Sequence, residues 1–137
     1  MAGSIGFGVA IPFVDHLGIT LVSFDDGLSE LAFDPRPEHE NSLEIVHGGA
    51  LMTLLDVTMC AAARSVQKSS GVITIEMKTN FMQGARGPLR GKGRLMHRTG
   101  KMAFAEATVF DAQGRACAHA TGTLKYVQAP TAAIGTD

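Results

Sequence analysis

A chain of 137 residues fits one domain, because a usual prior of about 150 residues per domain leaves no room for a second core. With 45% apolar residues and a formal net charge of −1, the composition excludes an intrinsically disordered chain and a generally basic nucleic-acid binder. Cys60 and Cys117 lie far apart and form no CxxC pair, which points away from a zinc site or a disulfide framework and toward a reducing compartment.

The opening MAGSIGFGVAIPFVDHLG lacks a basic stretch followed by an apolar run of signal-peptide length, and nowhere do about 18 apolar residues follow one another without interruption. The expectation is a cytoplasmic protein with no membrane contact. After a short segment around residues 12–16 come two strand-like runs, 19–24 and 28–33, separated by the hairpin-turn sequence Asp25-Asp26-Gly27. Pro35 and Pro37 then punctuate a loop. From Gly49 to about Gln67 the pattern changes: LMTLLDVTMCAAARSV has no Pro or Gly and is rich in Leu, Met and Ala, as a long helix requires. Its apolar residues occupy nearly every face, which predicts a helix enclosed by protein.

Residues 72–82 alternate strictly, with Ile73, Ile75, Met77, Thr79 and Phe81 opposite Thr74, Glu76, Lys78, Asn80 and Met82. That spacing predicts a strand with one buried face. Runs at 89–98, 102–110 and 115–126 continue the series, joined by the short turns Thr99-Gly100-Lys101 and Asp111-Ala112-Gln113-Gly114. The reading is a single α+β domain over residues 1–137, in which an antiparallel sheet of five to six strands wraps around one long central helix. Its core spans about 13–127, and the small, polar residues 128–137 form a flexible tail. A lone domain of this size is marginal, so a dimer that buries an outer strand or helix edge is expected.

Between Glu44 and Arg64 the only formal charge is Asp56, set in LLDVTM. A carboxylate among apolar neighbours is costly unless partners or water compensate it, so this aspartate either fixes packing through hydrogen bonds or does chemistry. The residues ahead of the helix, Asn41-Ser-Leu-Glu-Ile-Val-His47-Gly48-Gly49, bring polar groups to a helix end where unpaired N–H groups collect. There Gly48 or Gly49 can present an N–H to a carbonyl gaining negative charge. Taken singly, His47 also fits a structural histidine and the glycines a tight turn into a helix.

Together, Asn41-x5-His47-Gly48-Gly49-x6-Asp56 resembles the active-site signature of hotdog-fold acyl-CoA thioesterases of the PaaI-like (phenylacetate-degradation, 4-hydroxybenzoyl-CoA thioesterase-like) family. Thr74 within VITIEMKTNFMQGAR is similar to the Ser or Thr that follows the catalytic Asp on the next strand in that family. The resemblance implies a hotdog fold and a symmetric dimer, or a dimer of dimers, with two interface sites. Each site would join the Asn41-His47-Gly48 loop of one subunit to Asp56 of the other. It further implies that the Gly48 N–H polarises the thioester carbonyl, that Asn41 orients the attacking water or the aspartate, and that His47 holds the loop or contacts the thioester. Asp56 would act as general base or as nucleophile. Strand parity, however, puts Thr74 with Glu76 and Lys78, on the polar side.

The phosphates of a CoA thioester need Arg, Lys and backbone donors. One parity of residues 89–98 reads Arg90, Lys92, Arg94 and Arg98, a stripe that fits either phosphate binding or a solvated strand face. By resemblance, the turn Arg98, Thr99, Gly100 and Lys101 and the segment holding Gln83 and Arg86 would contact coenzyme A. No aromatic residue interleaves with the stripe, as a nucleic-acid surface would require. No metal or separate cofactor is implied, coenzyme A being part of the substrate. The expected reaction is hydrolysis of a small aryl- or medium-chain acyl-CoA. A non-catalytic acyl-CoA-binding hotdog protein and an acyl-thioester hydratase or dehydratase are the alternatives.

Overall fold

A computed structural model describes residues 6–128, so the expected tail lies outside the described residues except for Gln128. In chain order the elements are α1 (Pro12–Leu17), β1 (Thr20–Asp25), β2 (Leu28–Phe33), a 3-10 turn (Pro37–His39), α2 (Gly48–Arg64), β3 (Gly71–Phe81), β4 (Leu89–Arg98), β5 (Met102–Phe110) and β6 (Ala116–Val127). The opening segment, to which the sequence assigned no element, is a helix. Pro12 supplies the fixed φ of a first helical residue, and Gly18, with φ 78°, ends the helix in the left-handed region.

The strands form one antiparallel sheet in the order β1-β2-β4-β5-β6-β3. Asp26 and Gly27 both have positive φ, which lets the β1–β2 hairpin close in two residues. The chain then crosses from β2 through α2 to the opposite edge, where β3 pairs only with β6. Helix α2 packs against one face of the sheet and buries Leu51, Leu54, Leu55, Thr58, Met59 and Ala61 to Arg64. It comes close to the sheet because β4 turns glycines inward. A Cβ on Gly93 would lie 2.7 Å from the Thr58 carbonyl oxygen, so any side chain there would push the helix away. Leu21, Leu31, Phe33, Leu89, Val109 and Leu124 complete the core between helix and sheet.

Two sequence expectations change here, and both concern the open edge. The helix is not enclosed on every face: Met52 is exposed and Thr53, Asp56, Val57 and Cys60 are only half-buried, a stripe at helical spacing along one side of α2. Nor does β3 bury the odd-numbered face throughout. Its pairing with β6 slips between Thr74 and Glu76, a β-bulge at Ile75 that inverts parity along the strand. Before the bulge Thr74 turns toward the helix; after it, Met77 and Thr79 are the partly buried residues. Ile73 (49% exposed), Ile75 (55%) and Phe81 (52%), expected in the core, instead lie along the unpaired edge with Met82 (53%).

Candidate active site

The loop ahead of α2 is built around Asn41. Its backbone N–H donates to the Ile45 carbonyl at 2.9 Å, and its Oδ1 accepts from the backbone N–H of Leu43 (2.8 Å) and Ile45 (3.4 Å). Oδ1 is therefore spent on the loop, and the group Asn41 offers to a ligand is the Nδ2 donor. Val46 donates to the Ala85 carbonyl and His47 to the His39 carbonyl, which anchor the loop to its neighbours.

His47 is the N-cap of α2, and its Nδ1 accepts the Gly49 N–H at 2.8 Å. An accepting Nδ1 puts the proton of the neutral ring on Nε2. The same bond divides the labour of the two glycines: Gly49 is satisfied by the cap, whereas the Gly48 N–H has no acceptor among the described residues. That donor stands at the positive end of the helix. A cavity of about 290 Å³ adjoins it, with Asn41, Gly48, Phe81 and Gln83 in its wall. His47 lines a different hollow with Phe13, Glu38 and His39, so in this chain it holds the helix end rather than facing the Gly48 cavity.

Two turns along α2, Asp56 lies half-buried against the start of β3. Thr74 donates its hydroxyl to Asp56 Oδ1, a contact made possible by the bulge at Ile75. Cys60, one turn further on, directs its thiol at the same oxygen from 3.9 Å and lies 3.7 Å from the Thr74 hydroxyl. Burial, and then the Asp56 charge, push the Cys60 thiol up to about 12, so its sulfur stays protonated beside the carboxylate. With both neighbours on Oδ1, Oδ2 has no donor among the described residues. Asp56, Cys60 and Thr74 share a second cavity, of about 510 Å³, with Arg64 and a largely apolar wall. Cys60 and Arg64 were not singled out in the sequence, although their i+4 and i+8 spacing from Asp56 placed them on its face.

The motif residues thus fall into two groups. Asn41 and Gly48 surround one cavity, and Asp56 and Thr74 another. Eight residues of helix separate Gly48 from Asp56, about 12 Å along the axis. Within one chain the donor does not meet the carboxylate.

The expected coenzyme residues divide in the same way. Gln83 and Arg86 line a hollow with Asp111, Gln113 and Arg115, and Gln83 Nε2 donates to the Ala116 carbonyl. Arg98, Thr99, Gly100 and Lys101 form the β4–β5 turn, where Arg98 donates to Gln67 Oε1 and the Thr99 hydroxyl accepts the Met102 N–H. The ten residues of β4 put these groups about 30 Å apart. The stripe between them faces away from the helix: Arg90 pairs with Glu30 at 2.6 Å and Arg94 with Glu106, so both are neutralised on the outer sheet surface. Among the described residues, no three His, Cys, Asp or Glu side chains cluster to hold a metal ion, and no helix is long and apolar enough to cross a membrane.

The sequence model of the thioesterase superfamily matches residues 43–118, which include His47, Gly48, Asp56 and Thr74. A conserved protein of Pseudomonas aeruginosa is 28% identical and superposes with a TM-score of 0.82, covering 88% of this chain and 97% of that one. A thioesterase family protein of Silicibacter pomeroyi is 25% identical with a TM-score of 0.81, covering 87% and 91%. The E. coli PaaI protein, from the phenylacetic acid degradation operon, shares the fold with a TM-score of 0.80 at 18% identity, covering 85% of each chain.

Proposed function

This chain belongs to the thioesterase superfamily and has its hotdog fold, and we propose that it hydrolyses acyl-CoA thioesters at two equivalent sites, each shared between two subunits of a homodimer. The observation that carries this reading is the division of the motif. One end of α2 offers a free Gly48 N–H and the Asn41 amide without an acid, and a point two turns along offers Asp56 without a free donor. Strand β3 supports the way they meet. It begins beside Asp56, ends with Phe81 against Gly48, and leaves its outer edge unpaired, with Ile73, Ile75 and Phe81 exposed. Antiparallel pairing of two such edges about a two-fold axis brings the Gly48 end of one subunit to the Asp56 end of the other.

In that arrangement the thioester oxygen receives the Gly48 N–H at the helix terminus, where developing negative charge is stabilised. Asn41 donates through Nδ2 to the attacking water or to Asp56 of the partner subunit. Asp56, held through Oδ1 by Thr74, works with Oδ2: it either takes a proton from water as that water adds to the carbonyl carbon, or attacks the carbon itself to give an anhydride that water cleaves. Either route breaks the C–S bond and yields a carboxylic acid and free coenzyme A: in the first the proton taken from water passes to the departing sulfur, and in the second the thiolate leaves as the anhydride forms and gains its proton from the water that cleaves the anhydride. The same pairing draws Gln83 and Arg86 of one subunit toward Arg98, Thr99, Gly100 and Lys101 of the other, which would gather donors for the coenzyme phosphates. Two such dimers joined into a tetramer complete the reading, on aryl- or medium-chain acyl-CoA in the cytoplasm.

The test is thiol release from a panel of aryl-acetyl, benzoyl and straight-chain acyl-CoAs. The wild type is expected to release thiol, and Asp56→Asn to lose about 10²–10⁴-fold in kcat while remaining a folded dimer. Undiminished release by Asp56→Asn would sink the assignment. Binding without release would make the protein a carrier, and hydration of an enoyl-CoA would make it a hydratase.

A further inference from the structure

The cavity beside Asp56 has a direction. Its helical wall is Asp56, Val57, Cys60 and Arg64, and its strand wall runs from Thr74 back to Gly71. Asp56 and Thr74 therefore mark one end, and Arg64 and Gly71 the other. Between them the lining is apolar: Val57, Val72 and Ile73, the neutral Cys60 thiol, and the amino-terminal residues Val9, Ala10 and Ile11.

Arg64 is only 9% exposed and forms no ion pair with a carboxylate among the described residues. Its donors go to carbonyls instead: Nε to Ser70 at 3.1 Å, Nη2 to Lys68 at 3.0 Å and Nη1 to Phe7 at 2.9 Å. The first two tie down the turn after α2. The third crosses 57 residues of sequence and pins the amino-terminal segment over the cavity. Displacing the guanidinium would leave these carbonyls without their donor, so the far end resists intrusion.

We infer that this cavity is the acyl pocket of the thioesterase site and that Arg64, by closing its far end and holding the amino-terminal segment over it at Phe7, sets the longest acyl group the enzyme accepts. This rests on the hydrolase reading above and narrows its substrate class. Asp56 and Arg64 are eight residues apart on the helix, about 12 Å along its axis. An extended chain advances about 1.2 Å per bond, so the pocket fits an uncharged apolar acyl group of up to about ten carbons, or an aryl group of that length.

The experiment is a profile of kcat/KM against chain length, from butanoyl- to hexadecanoyl-CoA, for the wild type, Arg64→Ala and Val9→Phe. Because each variant is read as a ratio between two of its own substrates, a general loss of folded protein cancels. The wild type is expected to favour octanoyl- over tetradecanoyl-CoA by about tenfold or more. In Arg64→Ala that ratio collapses toward one, because the released segment no longer closes the pocket. Val9→Phe, which keeps the clamp and narrows the cavity, is expected to shift preference toward butanoyl-CoA, and decides the matter should Arg64→Ala fail to fold. Thiol release with the same ratios in all three proteins overturns the inference alone. Thiol release from no chain length, even by the wild type, overturns the hydrolase reading and this inference with it.

Discussion

The two ends of the α2–β3 seam are chemically opposite. At the Gly48 end every feature donates: the free Gly48 N–H, the Asn41 amide and the helix dipole. At the Asp56 end the free group is an acceptor, Oδ2, with its sister oxygen held by Thr74. Hydrolysis of a thioester needs both, a donor for the carbonyl oxygen and a base or nucleophile for the carbon. Their separation along one rigid helix leaves each half without its complement within one chain, which is what the proposed pairing of two subunits along the β3 edge would supply.

At the donor end proline can replace glycine. Gly48 is the first helical residue, where proline is tolerated, and His47, at φ −59° and ψ 139°, already has the extended conformation that precedes proline. A Cβ at position 48 would stand 3.4 Å from the Phe81 ring, in van der Waals contact. Gly48→Pro therefore removes the N–H while keeping the helix. It is expected to cost about 10²–10³-fold in kcat, measured with circular dichroism confirming the fold. Full activity in Gly48→Pro would remove this donor from the reaction.

Loss of the hydroxyl that holds the acid is expected to cost less than loss of the donor or of the acid itself. Thr74→Val deletes the hydroxyl that holds Asp56 Oδ1, a hydrogen bond to a charged group worth about 1.5–3 kcal/mol, so kcat should fall roughly 10- to 100-fold with KM little changed. Thr74→Ser should recover most of the loss. An equal fall in Ser and Val variants would mean that shape, not the hydroxyl, matters there. Cys60 is expected to leave turnover untouched, and chemical labelling reads its state directly. A thiol raised to about 12 exposes at pH 8 roughly 10³-fold less thiolate than a free cysteine, and reactivity should rise only as pH climbs toward that value. Mass spectrometry should find Cys60 resistant to iodoacetamide in the folded protein and alkylated once it is denatured. Rapid labelling of the native protein would contradict the neutral, half-buried thiol beside Asp56.

Much of the fold was legible in the sequence because its signals are local. Asp26-Gly27 specified a turn that needs positive φ, and the Leu, Met and Ala run specified α2. The short α1 escaped because six residues give too few turns for periodicity to register, even with Pro12 at its start. Thr74 was placed on the wrong side because strict alternation assumes an unbroken ladder, and one extra residue at Ile75 reverses it. The apolar residues of α2 and β3 were read as core because composition does not tell an apolar residue inside the domain from one on an exposed edge. Asn41, His47, Gly48 and Asp56 could be read as a set from spacing. That His47 would take the Gly49 N–H and leave Gly48 free depends on a side-chain conformation that spacing does not encode.

The shared site is tested most directly by mixing two inactive variants, Asp56→Asn and Gly48→Pro, under conditions of confirmed subunit exchange. In a mixed dimer one site combines both defects and the other has neither. Half of the dimers in an equal mixture are mixed, so thiol release should recover to about one quarter of the wild-type rate. Release that stays at the level of the separate variants, despite subunit exchange, would place Gly48 and Asp56 in the same site of a single chain.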